Sequence, residues 1–252
     1  MKKVENFQRL KGIENLKIIN SKGKLGKVRN RGIFSARGRW IAFIDADEIA
    51  DSNWLKEFMK AAETHDIIMG PGYALNSNIS SISKAFDLIY KRRNEIYKKK
   101  KVIKSVYTGN LLVNKKIFDN GNRFDDNFPT SEDGDLAYRL YKKGYKFAYW
   151  ENAIIYHKVP ETLKQLFSYQ KKMVIGKLLI FLKHHDLLSF SRALIELFYW
   201  LTPNFMKVYK KNNLISKFGF KFFGVTMTLI SLYCYFNPFI LFRLKRKISR
   251  PK

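Results

Sequence analysis

Residues 40–48 read WIAFIDADE. Five apolar residues ending abruptly in acid are the pattern of a short buried strand that reaches the carboxyl edge of an α/β sheet. The strand therefore delivers Asp45 to the edge along which open α/β sheets bind ligands. In extended backbone, residues two apart point the same way. Asp45 and Asp47 are thus expected to direct their carboxylates toward one point, with Glu48 beside them.

Working outward, residues 26–37 read as a helix with Val28, Ile33 and Ala36 buried and Gly38 as its stop. Residues 16–20 form a short apolar run read as a strand. Downstream, Asp51 or Ser52 caps a helix in which Leu55, Phe58, Met59 and Ala62 recur at helical spacing, and residues 66–69 read as a further strand. Strand and helix alternate, which predicts a largely parallel sheet. Residues 82–101 read as a helix ending in Lys98, Lys99, Lys100 and Lys101, a solvated helix end or a phosphate or lipid contact.

A second acidic cluster, SEDGD, occupies residues 131–135. Hard oxygen donors such as these and Asp45 with Asp47 suit Mg²⁺ or Mn²⁺, whose shells are commonly completed by phosphate oxygens. His157 closes a strand-like run at 153–156 and reads either as a further donor or as a side chain satisfying a local carbonyl. Asp125 and Asp126 precede Phe128-Pro129 and fit a turn.

From residue 160 the pattern changes. Residues 160–172 read as an amphipathic helix, and from Gly176 the chain becomes aliphatic and aromatic with scattered charge. Residues 222–242 carry no charged side chain over 21 positions, long enough at 1.5 Å per residue to cross a hydrocarbon core, although Asn237-Pro238 interrupts them. Lysines precede the run at 207–221 and RLKRKISRPK follows it. A helical pair using residues 178–202, a hairpin bent at Pro238, an interfacial foot and a core helix buried in a soluble protein are all compatible; Arg192 and Glu196 suit the earlier segment to an interface. The organisation expected is residues 1–175 as one α/β domain and 176–252 as a membrane-associated helical region with a basic tail.

The chain has 252 residues, 46% hydrophobic and 15% aromatic, enough for a sizeable core and too apolar for wholesale disorder. Lys and Arg number 48 against 21 Asp and Glu, a net charge of +27 that favours anionic partners. The single Cys234 excludes an intrachain disulfide framework and a Cys-rich zinc site. The opening MKKVENFQRLKG carries no apolar stretch, so no cleavable secretory signal is expected and the catalytic part is placed on the cytoplasmic face of a membrane. No zinc-finger, RRM or helix-turn-helix signature supports nucleic acid as the partner.

The stretch GKVRNRGIFSARGRWIAFIDADE at 26–48 resembles the segment of family 2 glycosyltransferases in which a Gly, an Arg-Asn pair, a helix and a Gly lead into a strand ending in DxD. The matched positions are Gly26, Arg29, Asn30, Gly32, Ala36, Gly38, Asp45 and Asp47. Residues 109–157 resemble the acceptor half of the same family, through Gly109-Asn110, FDD at 124–126, Glu132-Asp133 with Leu136 and Arg139, Gly144-Tyr145 and His157. The resemblance covers roughly residues 16–175.

It implies a GT-A-like, Rossmann-related mixed sheet flanked by helices. It also implies transfer of a sugar from a nucleotide diphosphate sugar to a lipid-linked or cell-envelope glycan acceptor, with inversion. By similarity, Asp133 is the general base, Glu132 positions the acceptor with Gly109 and Asn110, and Arg29, Asn30, Asp45 and Asp47 meet the donor. The metal, Mg²⁺ or Mn²⁺, falls to Asp47, Asp45 and His157. Arg29 either faces the diphosphate or decorates a helix.

Members of the family usually open with a strand, a helix and another strand that contact the base and ribose; this chain reads as starting after that unit. A start placed downstream, a protein partner supplying the unit, and a subunit that anchors a partner without catalysing are the three explanations. The absent unit is expected to leave a sheet edge open. The QxxRW signature of processive synthases is absent as well, since Gln170 is followed by Lys171, Lys172 and Met173, so single-sugar transfer is expected.

Overall fold

A computed structural model describes residues 15–184. The sequence readings at residues 185–252, the uncharged run and the basic tail among them, lie outside the described residues. The elements in chain order are α1 (Leu25–Ser35), β1 (Trp40–Phe43), β2 (Glu48–Ala50), α2 (Trp54–Ala61), β3 (Ile67–Met69), β4 (Gly72–Ala74) and α3 (Ser81–Lys99). They continue with β5 (Leu111–Asn114), α4 (Lys115–Asp119), α5 (Glu132–Lys142), β6 (Ala148–Tyr149), β7 (Ile155–His157) and α6 (Leu163–His184).

The strands form two sheets, ordered β1-β5-β3-β6 and β2-β7-β4. The expected largely parallel sheet is corrected: β5 lies antiparallel between β1 and β3, β2 is antiparallel to β7, and only β3 with β6 and β4 with β7 run parallel. The result is a mixed α/β fold with helix-flanked sheets. Three chain segments pass from the first sheet into the second: β1 into β2 through Asp45-Ala46-Asp47, β3 into β4 through Gly70-Pro71, and β6 into β7.

Alternation along the strands sorts the core into two layers. Ile67, Met69, Leu111 and Val113 face one side with Ile33, Ile117, Phe118, Leu136 and Leu140. Ile68 and Leu112 face the other with Phe58 and Ala61, against which Trp40, Trp54 and Trp150 pack. Burial of each Ile, Leu, Val, Phe or Met side chain among these contributes about 1.5–3 kcal/mol. A third cluster, Ala74, Phe86, Tyr90, Val159 and Leu166, joins α3 and α6 to the second sheet.

Several sequence assignments move. Residues 16–20 pair with no strand; Leu16, Ile18 and Ile19 are exposed. Val28 is exposed, because α1 turns Ile33 and Gly26 inward instead. In α2 the buried side is Phe58 and Ala61, and Leu55 and Met59 face outward. That helix is capped at Asn53 without a side-chain bond; Asp51 instead accepts the Trp54 N–H through its carbonyl at 3.0 Å and the Asn53 N–H through Oδ1 at 2.9 Å. β1 is an edge strand with only Ile41 buried, not a strand covered throughout.

Among the described residues no helix is long and apolar enough to cross a membrane. The 22-residue α6 runs without a break past residue 175.

Candidate active site

The two acidic motifs, 83 or more residues apart in sequence, line one cleft of about 550 Å³. Asp45 and Asp47 enter it from the β1–β2 crossover, Glu132 and Asp133 from the start of α5, His157 from the end of β7, and Tyr107 to Gly109 from the segment before β5. Helix α6 supplies a wall through Gln165, Ser168, Tyr169, Lys172 and Met173, whose spacing is one helical face.

The geometry at Asp45 and Asp47 differs from the extended strand expected. Residues 46 and 47 form a turn, closed by the Glu48 N–H donating to the Asp45 carbonyl at 3.1 Å. Both carboxylates still reach the cleft because the turn folds around its rim. The Asp45 N–H donates to Glu48 Oε2 at 2.9 Å, which holds the Glu48 carboxyl under the turn. Burial there pushes the Glu48 carboxyl up to about 7. Gly109 packs on it so closely that a Cβ at 109 would lie 2.2 Å from Glu48 Oε1.

Arg29 joins the two motifs. Its Nη2 donates to Asp45 Oδ1 at 2.7 Å and its Nη1 to Glu132 Oε1, and Glu132 is only 3% exposed. The guanidinium thus faces the cleft rather than decorating the outside of α1. Asp133 accepts from the Gly134 N–H at 2.8 Å through Oδ1 and from the Thr108 N–H at 3.3 Å through Oδ2. Burial outweighs these bonds and raises its pKa above the ordinary aspartate value.

Asp47 Oδ2 lies 3.4 Å from His157 Nε2, and the other ring nitrogen, Nδ1, is 2.8 Å from the Tyr90 hydroxyl. Asp47 is the more open of the two crossover aspartates, its side chain 61% exposed against 45% for Asp45. Among the described residues no group of three or more His, Cys, Asp or Glu is placed to hold a metal ion. Mg²⁺ and Mn²⁺ need fewer protein donors than that, since one or two suffice when phosphates complete the shell. Asp47 and His157 fit two adjacent positions around such a cation, for which donors about 3 Å apart are required at bonds of about 2.1 Å. Asp45 shares its Oδ1 with Arg29, which leaves Oδ2 as the oxygen it could bring to a cation.

Two residues assigned to the site from the sequence spend their side-chain hydrogen bonds within the fold. Asn110 is fully buried. Its Nδ2 donates to the Pro71 and Ala153 carbonyls at 2.8 and 2.7 Å while its Oδ1 accepts from Trp54 Nε1 at 2.7 Å, so it staples the crossovers between the two sheets. That leaves its amide nothing to offer an acceptor, and Gly109 alone of the pair lines the cleft. Asn30 donates to the Phe124 carbonyl at 2.8 Å and to Asp126 Oδ1 at 2.7 Å and accepts the Phe124 N–H at 3.0 Å, which fixes the 124–126 loop. Asp125 takes the Asn127 N–H at 2.8 Å, as a turn aspartate does, and also pairs with Lys183 at 2.7 Å.

Lys158 and Lys172 also line the cleft, and the sequence assigned neither. Gly176 is a further site-shaping residue. A Cβ there would lie 1.9 Å from Ser131 Oγ, so only glycine lets α6 lie against the start of α5. Ser131 itself adopts φ 59°, a left-handed conformation uncommon for serine. A glycine in the middle of an apolar helix was the available signal.

An alignment with the crystal structure of S. aureus TarS 1-349 covers 71% of this chain and 53% of that one, with a TM-score of 0.44 and 17% identity. The complex of that protein with UDP-GlcNAc aligns over 69% of this chain and 54% of that one, with a TM-score of 0.42 and 14% identity. An uncharacterized glycosyltransferase of Methanocaldococcus jannaschii is 26% identical over 155 residues, 58% of this chain and 51% of its own length. The chain thus spans about half the length of these relatives. The family model described as "Glycosyl transferase family group 2" matches residues 40–244, most of the sequence and the whole of the DAD and SED motifs, and the chain belongs to that family.

Proposed function

We propose that the chain is a GT-A-type glycosyltransferase that moves a single sugar, with inversion, from a nucleotide diphosphate sugar to a lipid-linked or cell-envelope glycan acceptor at the cytoplasmic face of a membrane. The observation that carries this reading is the convergence of Asp45, Asp47, Asp133 and His157 on one cleft from distant stretches of chain.

Asp133 serves as general base. Its raised pKa suits proton transfer better than an ordinary carboxylate's does, and the Thr108 and Gly134 N–H groups fix its orientation. As the acceptor oxygen attacks the anomeric carbon, its proton passes to an Asp133 oxygen. The new C–O bond forms on the face opposite the departing diphosphate, whose bond to that carbon breaks. Asp47 and His157 would hold the divalent cation, Mg²⁺ or Mn²⁺, which would supply neutralisation of the diphosphate charge. Arg29 and Asp45 flank the donor side, and Asn30 acts there only through the loop it fixes. Glu132, paired with Arg29, and Gly109 shape the acceptor side. The apolar residues 222–242 with their basic flanks supply the membrane attachment.

The test is transfer by the full chain from a panel of nucleotide diphosphate sugars, UDP-GlcNAc among them, to polyprenyl-phosphate-linked and glycan acceptors. Turnover that vanishes in Asp133→Asn while nucleotide diphosphate still binds supports the assignment, and retained turnover removes it. A second reading, a glycosyltransferase-like subunit that anchors a partner without catalysing, is favoured by a wild-type chain that binds no nucleotide sugar.

A further inference from the structure

His157 turns one ring nitrogen to Asp47 and the other to a tyrosine that proton transfer at Asp133 does not need. Tyr90, on α3, is 6% exposed. Its hydroxyl lies 2.8 Å from His157 Nδ1, and the two rings stack with centroids 6.2 Å apart and planes 24° apart. Its position is fixed from two further directions. The Arg93 guanidinium lies 4.5 Å over the Tyr90 ring and 5.0 Å over that of Tyr107. Asn94 donates to the Gly72 carbonyl at 3.0 Å, which ties α3 to β4, and β4 in turn pairs Ala74 with His157.

We propose that Tyr90 is a positioning residue for His157, holding the imidazole with Nε2 toward Asp47 and serving that purpose both before and after a divalent cation binds. The inference rests on the reading of Asp47 and His157 as cation ligands. In a neutral imidazole one nitrogen donates and the other accepts. With Nε2–H toward Asp47 Oδ2, Nδ1 is the acceptor and Tyr90 donates its O–H. Were Nε2 to give its lone pair to a cation, its proton would leave to water and Nδ1 would take one from water. Nδ1–H then donates to the phenolic oxygen, with no net change in protons. A hydroxyl meets both demands. A carbonyl or carboxylate in its place meets only the second, and an ammonium only the first. Partners of this kind hold ligating histidines in register, and their loss weakens metal binding.

Tyr90→Phe keeps the ring against His157 and Arg93 and removes only the hydroxyl. Measured on the full chain by Mn²⁺ titration with paramagnetic resonance, the variant is expected to bind Mn²⁺ about 10–100-fold more weakly while its thermal midpoint stays near that of the wild type. His157→Ala is the reference. If it leaves Mn²⁺ affinity unchanged, the ligand reading fails and this inference fails with it. If it weakens binding and Tyr90→Phe does not, the ligand reading stands and the role of Tyr90 is overturned. The unmodified protein gives a second test that needs no variant. In the metal-free chain, ¹⁵N shifts of His157 should report the Nε2-protonated tautomer, and an Nδ1-protonated ring would overturn the proposal.

Discussion

Two pairs of aspartates with the same one-residue spacing sit at the candidate site, Asp45-Ala46-Asp47 and Asp133-Gly134-Asp135. The first pair stands on a turn between two sheets, and both side chains reach the cleft. The second stands at the start of α5, where two residues correspond to about 200° of rotation, so the side chains part company. Asp133 lines the cleft, while Asp135 is fully buried and meets Arg139, Lys183 and His184 at 2.8–3.0 Å. Burial works against the Asp135 carboxylate, but the hydrogen bonds from His184 and Lys183 hold its pKa down at about 2. Spacing alone therefore carries no role; the local conformation decides whether an acid serves chemistry or the fold.

The largest effect expected is the contrast between Asp133→Asn and Asp135→Asn. Loss of a positioned base lowers turnover by about 10²–10⁴-fold. Asp133→Asn should do so with little change in thermal midpoint, and Asp135→Asn should mainly lower the midpoint; equal effects on both readouts would erase the distinction. Because burial raises the Asp133 pKa, the acid limb of kcat/KM should lie above 3.8, the value of an ordinary aspartate. A limb below that value argues against Asp133 as the base.

Next comes the stability held by Asp135 itself. Removing one partner of a buried charge cluster costs about 3–5 kcal/mol, and Asp135→Ala should fall near about 3 kcal/mol because Lys183 keeps its contact with Asp125. The sign with pH follows from the lowered pKa. The stabilisation is complete above the unfolded value of about 4 and is lost as pH falls through about 2. Denaturant unfolding at pH 6 and pH 3 should show a smaller gap between wild type and Asp135→Ala at the lower pH.

Gly176→Ala probes how α6 closes on the second pair. In an unconstrained helix interior this change stabilises by up to about 1 kcal/mol. Here the added methyl meets Ser131 Oγ at 1.9 Å and Ser131 Cβ at 2.6 Å, so a cost of about 1–3 kcal/mol and a displaced Asp133 are expected. Calorimetry showing a gain in stability would mean that α6 does not press on the start of α5.

Much of this arrangement was legible and some of it was not, for identifiable reasons. The apolar run into DAD marked a strand, and Ile67–Met69 and α3 lie where hydrophobic pattern placed them. Pairing was not legible, because nothing local to residues 111–114 says that β5 inserts antiparallel between β1 and β3. The outward faces of α1 and α2 misled for a related reason: Val28, Leu55 and Met59 obey helical spacing yet lie outside the core. At the site, residue identity drew attention to Asp45, Asp47, Asp133 and His157, which share the cleft. It also drew attention to Asn110, whose amide is consumed by two carbonyls and an indole that only the fold brings near. Tyr90 and Lys183 carry no motif, and their partners lie 67 and 48 or more residues away.

The smallest stability effect, and a sharp test of the first pair, belongs to Asp45→Asn. The Asp45 side chain is 45% exposed, so its bond with Arg29 should contribute at most about 1 kcal/mol to folding, further reduced by solvent screening. Glu132, buried on the other side of Arg29, keeps the guanidinium in place when Asp45 is neutralised. The substitution should therefore leave the thermal midpoint nearly unchanged. Arg29 is then released from one of its two carboxylates and becomes freer to meet an anionic diphosphate. Nucleotide diphosphate binding measured without metal should hold or tighten. If Asp45 instead contributes to the cation shell, the enhancement of binding by Mn²⁺ should shrink in the same variant, and comparing the two titrations separates an aspartate that restrains Arg29 from one that ligates.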